Sequence, residues 1–119
     1  MEIQPADLMD KMSILKLKIE KTGDSHLKKE YEEYKKALEE FQKQGVEIDP
    51  EWLLELYLAN KEQWDIYSEL NFEKNEEEID YERIGRLYIA VEKSNKKRVA
   101  IKNEIVNVSG KGFRDIKMN

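Results

Sequence analysis

Apolar residues recur along this chain at the three- and four-residue spacing of helix faces, and the pattern predicts four helices. Pro5 suits a first helical turn, where its missing N–H costs nothing. Leu8, Met12, Leu15 and Ile19 then mark one face while Ile14 and Leu17 lie opposite, so a first helix ending at Gly23 is expected to be covered on both sides. A second helix, about 25 to 44, carries Leu27, Tyr31, Tyr34, Leu38 and Phe41 as a narrow seam with a solvated back, capped by Asp24 or Ser25 and stopped by Gly45. Asp49-Pro50-Glu51 opens a third helix, about 50 to 73, with an N-cap, a first-turn proline and an acid at the positive helix end. Its apolar residues (Trp52, Leu53, Leu56, Tyr57, Ala59, Trp64, Ile66, Tyr67, Leu70) cover so much of its circumference that it is expected to be the central helix. The acidic stretch from Glu73 to Asp80 reads as a turn. A fourth helix, about 80 to 108, has Ile84, Leu87, Val91, Ser94, Arg98, Ile101, Ile105 and Val108 on a near-heptad face, coiled-coil-like in spacing. At ~1.5 Å per residue it is the longest, about 43 Å, and an overhang would favour a dimer.

No segment alternates with period two, so no sheet is expected. The predicted fold is all-α: an antiparallel helical bundle of about four helices with a long C-terminal helix, one domain over residues 1–119. Gly110-Lys111-Gly112 reads as a helix stop rather than a phosphate loop, and 110–119 as a short basic tail.

Composition narrows the chemistry. Of 119 residues, 21 are Lys or Arg and 26 Asp or Glu, for a net charge of −5, and there is no Cys. Disulfides, thiolate metal sites and thiol catalysis are thereby excluded. The single His26, beside a helix start, reads as a surface residue and not a ligand. No stretch approaches the ~18 apolar residues of a membrane span, and Met1 to Pro5 lacks the basic start and apolar run of a signal peptide, so a cytoplasmic protein is expected.

Charge is distributed unevenly: residues 1–80 hold 11 basic and 22 acidic side chains, net −11, while 81–119 hold 10 and 4, net +6. The basic C-terminal third either faces phosphate or an acidic partner, or pairs internally with its acidic neighbours. The second reading is preferred, because an acidic chain without a nucleic-acid motif is a poor nucleic-acid binder.

Two polar residues interrupt the apolar faces: Asn60 in the third helix and Arg98 in the fourth. An amide or guanidinium placed there needs partners. On facing helices the two would share a polar pocket with Ser94, Asn95 and Lys102, and Asp10 and Lys11 would supply an acid and a base. Such a cluster is either a register-fixing network or a site for a small anion, and both stay open. Glu30, Glu33, Glu62 and Asp65 match the loosest form of the ExxE…ExxD pattern of Mg²⁺-dependent all-α nucleotide pyrophosphohydrolases. Their helical phase points them away from the apolar seams, so this is an alternative only. Trp52 and Trp64 are both expected in the core.

The run Asp7-Leu8-Met9-Asp10-Lys11-Met12-Ser13-Ile14-Leu15, followed by Lys18, resembles the Glu-Leu-x-Asp-Lys-x-(Ser/Thr)-Ile-Leu-x-x-Lys opening of a small uncharacterised family of bacteria and marine phages. Asn60 with Trp64, then Tyr88, Asn95, Arg98, Ile101-Lys102 and Ile105, is similar to its later segments, the last reading Asn-Asp-x-Arg-x-x-Ile-Lys-x-x-Ile-Asn. Asp7 replaces the usual Glu, Lys96 stands where Asp is common, and Asn107 falls one position late. The resemblance implies an all-helical fold and a set of candidate residues, Asp10, Lys11, Asn60, Trp64, Asn95, Arg98 and Lys102, but no reaction. The expectation is therefore a non-catalytic interaction or small-anion-binding module. It would form a homodimer or meet a protein partner, with no cofactor, metal or catalytic residue assigned.

Overall fold

The computed structural model describes residues 3–110 and consists of four helices: α1 (Pro5–Thr22), α2 (Ser25–Lys43), α3 (Pro50–Lys74) and α4 (Tyr81–Ser109). It is an all-α bundle with a long last helix, and no strand occurs among the described residues. The basic tail residues Lys111, Arg114 and Lys117 lie outside the described residues.

Local chemistry sets the boundaries. Asp24, Asp49 and Asp80 are the N-caps of α2, α3 and α4, and their carboxylates accept from the backbone N–H of His26 (2.8 Å), Glu51 (2.9 Å) and Arg83 (3.1 Å). Gly23 and Gly110 close α1 and α4 in the left-handed conformation, with φ of 66° and 69°, each returning its N–H to a last-turn carbonyl. Pro5 and Pro50 occupy first turns as expected.

The helices run alternately up and down, and α1, rather than α3, is the central one, packing against each of the others. The cause is its two-sided composition. Leu8 and Met12 meet Phe41 of α2, flanked by Tyr31, Tyr34 and Ala37. Ala6 and Met9, on another face, meet Trp52 and Leu56 of α3 and Ile105 of α4. Every residue in these two clusters is buried, so each large side chain contributes roughly 1.5–3 kcal/mol. The backbone of α2 lies close to α1 alone; only Phe41 of its seam is fully buried, and Leu27, Tyr31, Tyr34 and Leu38 are half-buried.

At ~1.5 Å per residue the 18-residue α1 is about 27 Å long, against about 38 Å for the 25-residue α3 and about 43 Å for the 29-residue α4. Because α1 and α3 start at the same end, the α3–α4 hairpin runs on past α1. Phe72 and Tyr81 of that extension are exposed, as are Tyr88 and Ile89 further along α4.

Because α2 has one helical neighbour while α1 has three, amide exchange of α2 is expected to proceed by local opening at lower free energy than that of α1. Hydrogen-exchange mass spectrometry checks this. Equal protection of the two helices would show that α2 is docked as firmly as the rest.

Candidate functional site

Halfway up the bundle, polar side chains from α1, α3 and α4 converge. Asp10 and Asn60 are 5% and 6% exposed, and Ser13 is fully buried. Asn60 Nδ2 donates to Asp10 Oδ1 (3.0 Å) and to Ser13 Oγ (2.8 Å), so both amide hydrogens are used. Ser13 Oγ donates in turn to the Asp10 carbonyl (2.6 Å). From α4, Arg98 Nε–H lies between the two carboxylate oxygens of Asp10 (3.1 and 3.2 Å), and Nη2 approaches Oδ2 at 3.0 Å. This is the side-on form of a two-nitrogen carboxylate clamp. At the same level Ser94, fully buried on α4, donates to the Ala59 carbonyl of α3 (3.0 Å).

The guanidinium is not sealed in. Arg98 keeps 28% of its side chain accessible, and Nη1 has Asn95 Oδ1 only at 3.5 Å, the limit of a hydrogen bond. It lines an open cleft of about 190 Å³ together with Ile14 and Leu17 of α1 and Asn60, Gln63, Trp64 and Tyr67 of α3. Trp52 is buried as expected, but Trp64 is 37% and Tyr67 47% exposed, so Trp64 is a cleft wall and not a core residue. Ile14 and Leu17 of α1 stand across the cleft from them, and one turn further along α3 Leu70 is buried again.

Five of the seven candidate residues therefore meet in one place: Asp10, Asn60, Trp64, Asn95 and Arg98. Lys11 is exposed on another face of α1. Lys102 stands one turn along α4 from Arg98 and pairs with Asp7 (3.0 Å), one turn before Asp10. The two ion pairs form successive rungs between α1 and α4. Ser13 was not among the candidates, although a small polar residue one turn from Asp10 on the same face was the available signal.

The positive charge of α4 is largely spent on internal or local pairs. Arg83 meets Glu69 and Glu73, Arg86 meets Glu82, Lys96 meets Glu92, and Lys97 meets Glu62 (3.3 Å). The four acids of the pyrophosphohydrolase pattern do not assemble: Glu30 and Glu33 are on α2, which does not lie beside α3, and Glu62 is taken by Lys97. Among the described residues no group of three or more acidic or histidine side chains is placed to hold a metal ion. No helix among them is long and apolar enough to cross a membrane.

Beside the site, Tyr57 donates its hydroxyl to Glu20, and Lys16 Nζ lies 4.8 Å from the centre of its ring. That hydrogen bond, then burial, then the negative charges of Glu20 and Asp65 raise the Tyr57 pKa above its ordinary 10.0.

Comparison with protein-family models, curated proteins and solved structures finds no match, so fold and geometry carry the functional argument. They define a class: an all-α bundle with a buried ion pair spanning two helices, beside an open cleft.

Two outcomes follow for stability. Asp10→Leu leaves a half-buried guanidinium and the Asn60 amide without their acceptor, and is expected to cost about 3–5 kcal/mol. The double variant Asp10→Leu/Arg98→Met is expected to recover most of that, because a well-packed apolar pair can replace a buried ion pair. Urea denaturation of the four proteins in the cycle reads the coupling, and additive losses would rule it out. For Tyr57 the folded pKa exceeds the unfolded one, so its contribution is present below pH 10 and lost as pH rises through the raised value. Tyr57→Phe is expected to remove that share of the alkaline loss of stability, measured by denaturation at and above pH 10.

Proposed function

We propose that this protein is a non-catalytic helical binding module that takes a small anionic group in the Arg98 cleft. The observation carrying this reading is that Arg98 is held at its Nε and Nη2 by Asp10 yet still lines an open cavity. A guanidinium has five N–H donors in a fixed fork, and Asp10 occupies only one side of it. A purely structural arginine has no need of an aromatic-walled cleft at its outer edge.

The lining of the cleft suits binding. Apart from Arg98, its lining residues carry no charge and include no nucleophile–base pair. Titration of the isotopically labelled protein with acetate and with inorganic phosphate, at constant ionic strength, tests the reading. At least one anion is expected to move the Trp64 indole and Gln63 amide resonances saturably, and Arg98→Met, if folded by circular dichroism, to abolish the shifts. Should neither anion move them in the wild-type protein, the reading fails and the cluster is a structural network alone.

A second reading, self-association, is favoured by the exposed apolar side chains of the α3–α4 hairpin, among them Phe72, Tyr88 and Ile89. Light scattering coupled to size exclusion is expected to return about twice the 14.2 kDa chain mass. A monomer at high concentration would count against it.

A further inference from the structure

Resting on the reading of the Arg98 cleft as an anion site, we infer that its ligand class is a small monocarboxylate with a flat apolar body, and not a phosphate. Three features of the site lead there.

The first is charge. Asp10 already compensates Arg98, and none of the other lining residues, Ile14, Leu17, Asn60, Gln63, Trp64 and Tyr67, is charged. A ligand placed against the outer edge of the guanidinium therefore meets a pair with no net charge, and its own charge is repelled by the Asp10 carboxylate behind. Attraction and repulsion both scale with the ligand's charge, but the cost of stripping water from the ligand grows roughly with the square of that charge. A guanidinium already shared with Asp10 returns little of that cost to a dianion. The chain as a whole, at −5, adds to the bias against multiply charged ligands. Phosphate sites are built differently, from several cations or from a row of backbone N–H groups.

The second feature is the shape of what Arg98 has left to offer. With Nε and one N–H of Nη2 directed to Asp10, the remaining edge consists of Nη1 and the second N–H of Nη2. Two parallel N–H groups on one edge match the two oxygens of a carboxylate. Gln63, on the same cleft, supplies an amide for an oxygen or a neighbouring polar group of the ligand.

The third is the wall and the volume. Ile14 and Leu17 face the cleft from α1, and Trp64 and Tyr67 from α3. Apolar and aromatic walls favour a planar ring or short apolar body, with offset stacking on an exposed aromatic side chain. At about 190 Å³ the space is smaller than the ~300–1,000 Å³ of sites for drug-sized ligands, which sets a limit near a single ring.

Four probes distinguish this inference from its alternatives: benzoate, acetate, benzamide and inorganic phosphate, each titrated into the full chain at fixed ionic strength while the Trp64 indole, Gln63 and Asn60 amide resonances are followed. Benzoate is expected to bind about tenfold or more tightly than acetate, which lacks the ring, and than benzamide, which lacks the charge. Arg98→Lys, which keeps the charge opposite Asp10 but loses the paired N–H edge, is expected to weaken benzoate at least about tenfold. Trp64→Ala, at a position already exposed, is expected to weaken benzoate and leave acetate unchanged. Phosphate binding as tightly as benzoate, or benzamide matching benzoate, would overturn the assignment of class while leaving the cleft a binding site. If no probe shifts these resonances, the class assignment and the proposed function fall together.

Discussion

The constraint on which this fold depends is that one carboxylate, Asp10, has been placed inside a helical bundle and must be fully satisfied there. An ionised carboxylate removed from water costs several kcal/mol unless charge and hydrogen bonds replace its hydration. Asp10 obtains both, from Asn60 on α3 and Arg98 on α4, so a single side chain on α1 fixes its height against two other helices. Apolar ridges tolerate sliding by a turn at modest cost; these directional bonds do not. Ser13 and Ser94 extend the same logic: each is small enough to let helices approach closely, and each donates to a carbonyl, Ser13 within α1 and Ser94 across to α3.

Around that level the remaining architecture follows from how each helix distributes its apolar surface. α1 has apolar side chains on two faces and so becomes the partner of every other helix. α2 has one narrow seam, sufficient for one neighbour, with charged residues covering the rest. α3 and α4 are longer than α1, so they satisfy each other over the upper part of their length and leave one side of the pair uncovered there. The cleft lies between α1, which supplies Ile14 and Leu17, and α3, whose Trp64 and Tyr67 stay partly exposed there.

The four helices and their ends were legible in the sequence, because caps and stops are local and the three-four spacing is unbroken in each segment. Asn60 and Arg98 were legible as well, since each stands on an apolar stripe where its polarity demands a partner. Asp10 was approachable only as an acid that such a network needs, and through the resemblance of the segment around it. The central position was misassigned to α3, because apolar count along one helix does not report how many neighbours share it. Trp64 was placed in the core for a related reason: helical phase alone does not report whether the neighbouring helix packs tightly against that position or leaves a cleft beside it. Lys11 was drawn in as a base for such a network and through the resemblance of its segment, yet one residue on a helix is a rotation of about 100°, and that sufficed to turn it outward.

The choice between a structural and a binding role for the cluster need not be exclusive, because the two use different parts of the same guanidinium. The inner edge of Arg98 is spent on Asp10 and contributes to register; Arg98 also lines a cleft shared with Gln63, Trp64 and Tyr67, which take no part in that network. The pairing with Asp10 makes Arg98 tolerable at its half-buried position, and it also removes most of the long-range attraction an isolated arginine would exert. What is left is short-range: a fixed donor geometry, two aromatic faces and a small volume. On the proposed reading, recognition in such a place would depend on fit before charge, so that Asp10, by holding the helices together, would also limit which anions the cleft accepts.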